Sequence, residues 1–197
     1  MFSTETLTHP KVIQLLKSGG VGVIPTDTVY GLVCRAADEV AVKQLFTIKK
    51  REGSPGTIIA ASVDQLAGLG LKKRYLTADQ EFWPGAISVI VPCGEELHYL
   101  HMGLNSLAVR VPGNEELQAL LRSTGPLMTT SANHPKEPVA TNIEEAKQYF
   151  GERVNFYVDG GEISGHKPST IIRIVDDAIE IIREGAVKIN ENGRIEK

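Results

Sequence analysis

Val21-Gly22-Val23-Ile24-Pro25-Thr26-Asp27-Thr28 is the stretch that decides the fold. Its apolar half is too short for a helix and ends at a proline, which has no backbone N–H to offer a ladder. Val21–Ile24 therefore reads as a short buried strand. Hydroxyl and carboxylate side chains follow at once. At the end of a buried strand such residues either turn and cap the chain or face a ligand, because open α/β sheets bind ligands beside their strand ends. Upstream, Val12, Ile13, Leu15 and Leu16 make a helical stripe over Pro10–Ser18, started by Pro10 and stopped by Gly19-Gly20.

Downstream the same grammar repeats. Extended chain is predicted over Val29–Ala37 with a turn at Gly31, a helix over Val40–Lys49 and a strand over Thr57–Ala61. Helices follow near Val63–Leu69 and Leu76–Phe82, then strands at Ile87–Val91 and Ser106–Val111. A helix at Glu115–Leu121, a strand at Leu127–Ser131, a helix at Ile143–Phe150 and a strand at Asn155–Val158 come next. Ser169–Val175 and Ala178–Ile182 read as a final antiparallel pair turned at Asp176-Asp177. Helices and strands alternate early and strands crowd the end, so the class is α/β with a mixed sheet. No linker divides the chain. One domain over 1–197 is expected, with its core at about 8–188 and a polar tail at 190–197.

With 42% hydrophobic and 23% charged residues the chain is an ordinary globular one, and a net charge of −3 gives it no overall nucleic-acid footprint. Its two cysteines, Cys34 and Cys93, form no C-x-x-C pair, which excludes a zinc ribbon and suits a reducing compartment. Met1–Lys11 lacks a basic segment followed by an apolar one, and no apolar run approaches the roughly 20 residues of a membrane helix. A cytoplasmic protein without membrane contact is expected. No phosphate loop, dinucleotide fingerprint or nucleophile elbow is present. His98 and His101 stand three apart, most simply as a surface pair, and no metal site is expected. Chemistry on such a chain rests on positioning and charge stabilisation.

The cations narrow this further. Lys49, Lys50 and Arg51 close a helix, where basic residues commonly just complement the helix dipole. Arg110 lies inside the apolar run Leu107-Ala108-Val109-Arg110-Val111. A guanidinium there needs an anionic partner, either a protein carboxylate or a ligand. With the strand-end cluster Thr129-Thr130-Ser131-Ala132-Asn133, these residues describe a cleft for an anionic small molecule.

Pro25-Thr26-Asp27-Thr28-Val29-Tyr30-Gly31-Leu32, Lys49-Lys50-Arg51, Pro84-Gly85, Ser106-Leu107-Ala108-Val109-Arg110, Pro126-Leu127-Met128-Thr129-Thr130-Ser131-Ala132-Asn133, Pro168-Ser169-Thr170-Ile171-Ile172 and Arg183-Glu184-Gly185 together resemble the motifs of the YrdC family, in the same order. The resemblance implies a twisted open mixed α/β sheet with a wide concave ligand face. It also implies a short-form threonylcarbamoyl-AMP synthase, which converts ATP, L-threonine and bicarbonate to threonylcarbamoyl-adenylate and pyrophosphate for tRNA modification. Magnesium would arrive with the nucleotide, and a downstream threonylcarbamoyl transferase complex would take the product. By the same resemblance, Lys49, Arg51 and Arg110 are the catalytic set. Thr28, Arg110, Thr129 and Ser169 hold threonine. Lys49, Arg51, Ser106, Ser131, Asn133 and Arg183 hold the nucleotide, and Tyr30 walls the pocket.

Departures from the pattern gather on the nucleotide side: Glu52 and Pro55 after Arg51, then Pro135, Lys136 and Val139 after Asn133. They fit a divergent synthase in which Lys136 supplies a charge. They also fit a paralogue that binds tRNA or double-stranded RNA through a basic concave face, a reading the net charge disfavours.

Overall fold

The computed structural model describes residues 1–51, 53–76, 80–176, 178–190 and 194–196. Ten strands form one sheet: β1 (Phe2–Thr4), β2 (Gly22–Ile24), β3 (Gly31–Arg35), β4 (Thr57–Ile59), β5 (Ile87–Pro92), β6 (Ser106–Arg110), β7 (Leu127–Ser131), β8 (Phe156–Val158), β9 (Thr170–Val175) and β10 (Ala178–Arg183). Their order is β1-β8-β2-β3-β7-β4-β6-β5-β9-β10. Parallel and antiparallel neighbours mix: β2 runs parallel to β8 and antiparallel to β3, and β4 lies parallel to β6 and antiparallel to β7. The helices are α1 (Pro10–Lys17), α2 (Glu39–Lys49), α3 (Val63–Gly68), α4 (Lys73–Leu76), α5 (His98–His101), α6 (Glu115–Thr124) and α7 (Ile143–Phe150). None of the described helices is long and apolar enough to cross a membrane.

Side chains alternate between the two faces of a strand, and here that alternation sorts the core. Val23, Leu32, Cys34, Ile58, Met128 and Tyr157 belong to one buried cluster, into which α2 sends Val42, Leu45 and Phe46. Their immediate neighbours Ile24, Val33, Ile59, Leu127 and Phe156 belong to a second cluster, closed by Val12 and Leu16 of α1 and Leu117, Leu120 and Leu121 of α6. The helices are capped as their sequences dictate. Asp38, Ser62, Asn114 and Asn142 each accept a hydrogen bond from a first-turn N–H.

The mixed α/β sheet agrees with the sequence reading, and the differences are local. β1 carries no apolar run to announce it and exists because it pairs with β8. The segment Leu76–Phe82 is not one helix: α4 ends at Leu76 and a 3₁₀ turn spans Gln80–Phe82, with 77–79 outside the described residues. The expected turn at Asp176-Asp177 is described only at Asp176. His101 is not a surface residue. It is fully buried, and its Nδ1 accepts from the N–H groups of Gly103 and Asn105. Tyr30 does not wall a pocket either. It lies in the core, donating its hydroxyl to the Gly161 carbonyl at 2.8 Å and accepting from the Gly160 N–H at 2.8 Å. Tyr30→Phe removes the only change of shape that matters, one oxygen, yet strands both peptide groups. It is expected to cost about 1–3 kcal/mol in chemical denaturation.

Candidate functional site

The second core cluster fills only part of its sheet face. Beyond it the same strands carry small polar residues in place of branched apolar ones. On β7 the face reads Leu127, Thr129, Ser131; on β4, Ile59 then Thr57; on β3, Val33 then Gly31. The first member of each set packs under α1 and α6, and the rest line a cavity of about 380 Å3. Farther along the sheet its floor continues with Ser106, Ala108 and Arg110 of β6, Ile171 and Arg173 of β9 and Ile182 of β10. The site is thus the uncovered end of one sheet face. Gly31 and Gly56 keep it open. A Cβ on Gly31 would lie 2.7 Å from Thr129 Oγ1, and one on Gly56 2.5 Å from the Thr129 carbonyl oxygen.

Eight of the ten residues singled out in the sequence stand on this wall: Thr28, Arg51, Ser106, Arg110, Thr129, Ser131, Ser169 and Arg183. Lys49 and Asn133 stand behind it. Lys50 closes α2 in the left-handed conformation (φ 54°), and this reversal leaves Lys49 pointing inward while Arg51 reaches the cavity. The Lys49 ammonium donates to the Ser131 carbonyl at 2.5 Å and to the carbonyl and Oδ1 of Asn133 at 2.6 Å each. Ser131 Oγ donates to the same Oδ1 at 2.7 Å. Lys49 therefore pins the turn that presents Ser131. Burial, and then the Arg51 charge, lower its pKa from 10.5 to about 8.

Arg110 has its anionic partner within the protein. Its Nη1 meets Asp27 Oδ1 at 2.6 Å and Oδ2 at 2.7 Å, and the Gly113 N–H donates to the same carboxylate. Arg110 Nε is buried and has no hydrogen-bond partner among the described residues. Arg51 and Arg183 differ. Arg51 donates to Ser54 Oγ and Arg183 to the Ser169 carbonyl, and neither has an ion pair among the described residues. Burial lowers both pKa values, and the Arg51 charge lowers that of Arg183 further. No carboxylate belongs to the described cavity wall, so a magnesium ion would have to enter on a ligand's own oxygens.

The hydroxyls have assigned directions. Thr26 Oγ1 donates to the Val29 carbonyl at 2.6 Å, so the 3.0 Å contact with Thr28 Oγ1 is a donation from Thr28. The Thr28 oxygen is left to accept from a ligand N–H or O–H. Ser169 Oγ lies 2.9 Å from Oγ of Ser88, which is fully buried. The sequence reading gave no role to Asp27, Ser54 or Arg173. Arg173 was findable, because Ser169, Ile171 and Arg173 alternate along one face; Ser54 meets the nearby Arg51, whereas Asp27 acts through Arg110, a partner that only the fold supplies. The departures are spread out. Pro55 lines the cavity, Pro135 and Lys136 are exposed on a neighbouring turn away from its wall, Val139 is half-buried off it, and Glu52 lies outside the described residues.

A family model described as Sua5_yciO_yrdC, Telomere recombination, matches residues 14–185. The chain is 32% identical over 187 residues to the threonylcarbamoyl-AMP synthase of Bacillus subtilis, an alignment covering 90% of this chain and 54% of that protein. It is 30% identical over 193 residues to a Methanocaldococcus jannaschii relative, covering 93% of this chain and 90% of the relative. The crystal structure of Pyrococcus abyssi Sua5 complexed with L-threonine superposes with a TM-score of 0.80 at 30% identity, over 90% of this chain and 54% of that one. The chain thus spans about half the length of the Bacillus and Pyrococcus proteins and most of the Methanocaldococcus one.

Proposed function

Because the chain belongs to the Sua5/YciO/YrdC family, we propose that it is a threonylcarbamoyl-AMP synthase, joining L-threonine, bicarbonate and ATP. Threonine's amine and bicarbonate give the carbamate and water. A carbamate oxygen attacks the α-phosphorus, the bond to the β-phosphate breaks, and pyrophosphate leaves with the electron pair. The observation that carries this reading is a single cavity wall that combines several guanidinium groups with a set of hydroxyls. Arg110, beside the Thr28 acceptor and Ser169, suits the carboxylate and the amine or hydroxyl of an amino acid. Arg51 and Arg183, with Ser106 and Ser131, suit phosphates, and their fixed charge is the main source of transition-state stabilisation. Lys49 and Asn133 hold Ser131 in place from behind. Magnesium rides on the triphosphate. The threonine-bound Pyrococcus relative supports threonine as the amino acid. The product would go to a tRNA through a separate transferase complex.

The test is ATP turnover by purified protein with magnesium, following pyrophosphate and the adenylate. Product that requires both threonine and bicarbonate is expected. A folded protein that forms none, yet binds RNA in a salt-sensitive manner, would move the chain to the RNA-binding reading.

A further inference from the structure

Two of the three co-substrates in that reaction are anions without a positive group, namely bicarbonate and the triphosphate. The third, an amino acid, carries both signs. The cavity offers all of them guanidinium groups, and the four are not alike: Arg173 at its edge lies 3.6 Å from the Glu180 carboxylate. Arg51 and Arg183 keep their charge uncompensated among the described residues, whereas Arg110 is paired with Asp27 through a single nitrogen. That pair is buried, with side-chain exposures of 3% for Arg110 and 14% for Asp27. Nη1 is spent on Asp27 and on the Gly85 carbonyl. The Nε–H and the adjacent Nη2–H form the opposite edge, the fork that takes a carboxylate in two parallel hydrogen bonds. Nε is the atom left buried and unpartnered. Asp27 therefore fixes the plane of Arg110 from the far side and cancels its charge, while the Nε–Nη2 edge of this cavity-lining residue is taken by no hydrogen bond among the described residues.

A neutralised fork discriminates by net charge. A zwitterion loses little on meeting an ion pair, because its own positive group balances the carboxylate. A phosphate or carbonate ion brings uncompensated negative charge close to the Asp27 carboxylate, in a buried setting where that repulsion is poorly screened. We propose that Asp27 sets the selectivity of this end of the cavity, reserving the Arg110 fork for the carboxylate of a zwitterionic amino acid and excluding free anions from it. Asp27 acts through Arg110 and is a positioning residue. The inference rests on the synthase reading, and the following experiment separates the two.

L-Threonine is titrated calorimetrically into the nucleotide-free protein, in chloride and in phosphate buffers of equal ionic strength. In the wild type the affinity is expected to change by less than about twofold between buffers. In Asp27→Asn, which keeps the side chain's shape and removes its charge, phosphate is expected to compete and weaken threonine binding by about tenfold, because the like-charge repulsion that kept it out is gone. Asp27→Glu keeps the charge and is expected to restore exclusion of phosphate. A defect of packing alone would weaken threonine equally in both buffers. That outcome, or phosphate competing as strongly in the wild type, overturns the inference. Should Asp27→Asn not fold, the wild-type comparison still decides. A wild type that binds no threonine in either buffer defeats the synthase reading instead.

Discussion

Arg110→Ala is expected to lower the rate of adenylate formation by about 100-fold or more, the scale of losing one preorganised charge donor. Threonine binding should fall with it, while the affinity for ATP changes little, because Arg51 and Arg183, the guanidinium groups assigned to the phosphates, are untouched. The protein should also lose stability. Removing the guanidinium leaves the Asp27 carboxylate, which is only 14% exposed, with the Gly113 N–H as its one remaining described partner. Stability and activity can be told apart with Arg110→Lys. The ammonium keeps the charge beside Asp27 and rescues folding, but it has no Nε–Nη2 fork, so the loss of threonine affinity should persist. Threonine titrations and thermal denaturation of both variants check this. Full threonine affinity in Arg110→Lys would show that the fork is not what grips the ligand.

Lys49→Met has the second large effect and works by another route. Methionine fills nearly the same space but donates nothing, so the Ser131 carbonyl and the carbonyl and Oδ1 of Asn133 lose their shared donor. A loss on the order of 2 kcal/mol or more is expected, together with a fall in activity as Ser131 is released. Lysine's own titration gives the matching pH signature. Its folded pKa of about 8 lies below the 10.5 of an unburied lysine. Between these values the unfolded chain binds the proton more strongly than the folded one, so this group's contribution to stability rises with pH across that window. Activity should move the opposite way, declining as pH passes through about 8 and the turn loses its ammonium. A pH profile in which stability and activity fall together above pH 8 would contradict this account.

Much of this protein was legible in its residues because the signals are local. Pro25 ends β2, Gly19 and Gly20 end α1, and the pattern Leu127, Thr129, Ser131 already says that one face of a strand changes from apolar to polar along its length. That change is what makes a site, and together with the ordered motifs it singled out ten residues, eight of which stand on the cavity wall. What the sequence could not carry is which partner each polar group finds. Arg110 and Asp27 are 83 residues apart, Lys49 and Ser131 82, and Tyr30 and Gly160 130. Neither propensity nor periodicity reaches across such distances. Thus the sequence alone said that a guanidinium in an apolar strand needs an anion, and only the packed sheet decided that the anion is Asp27. Likewise only the reversal at Lys50 decided that Lys49 supports the wall while Arg51 belongs to it. The physical reason is common to both. Hydrophobic patterning places side chains on a face by local geometry, whereas ion pairs and buried hydrogen bonds are settled by which distant strands become neighbours.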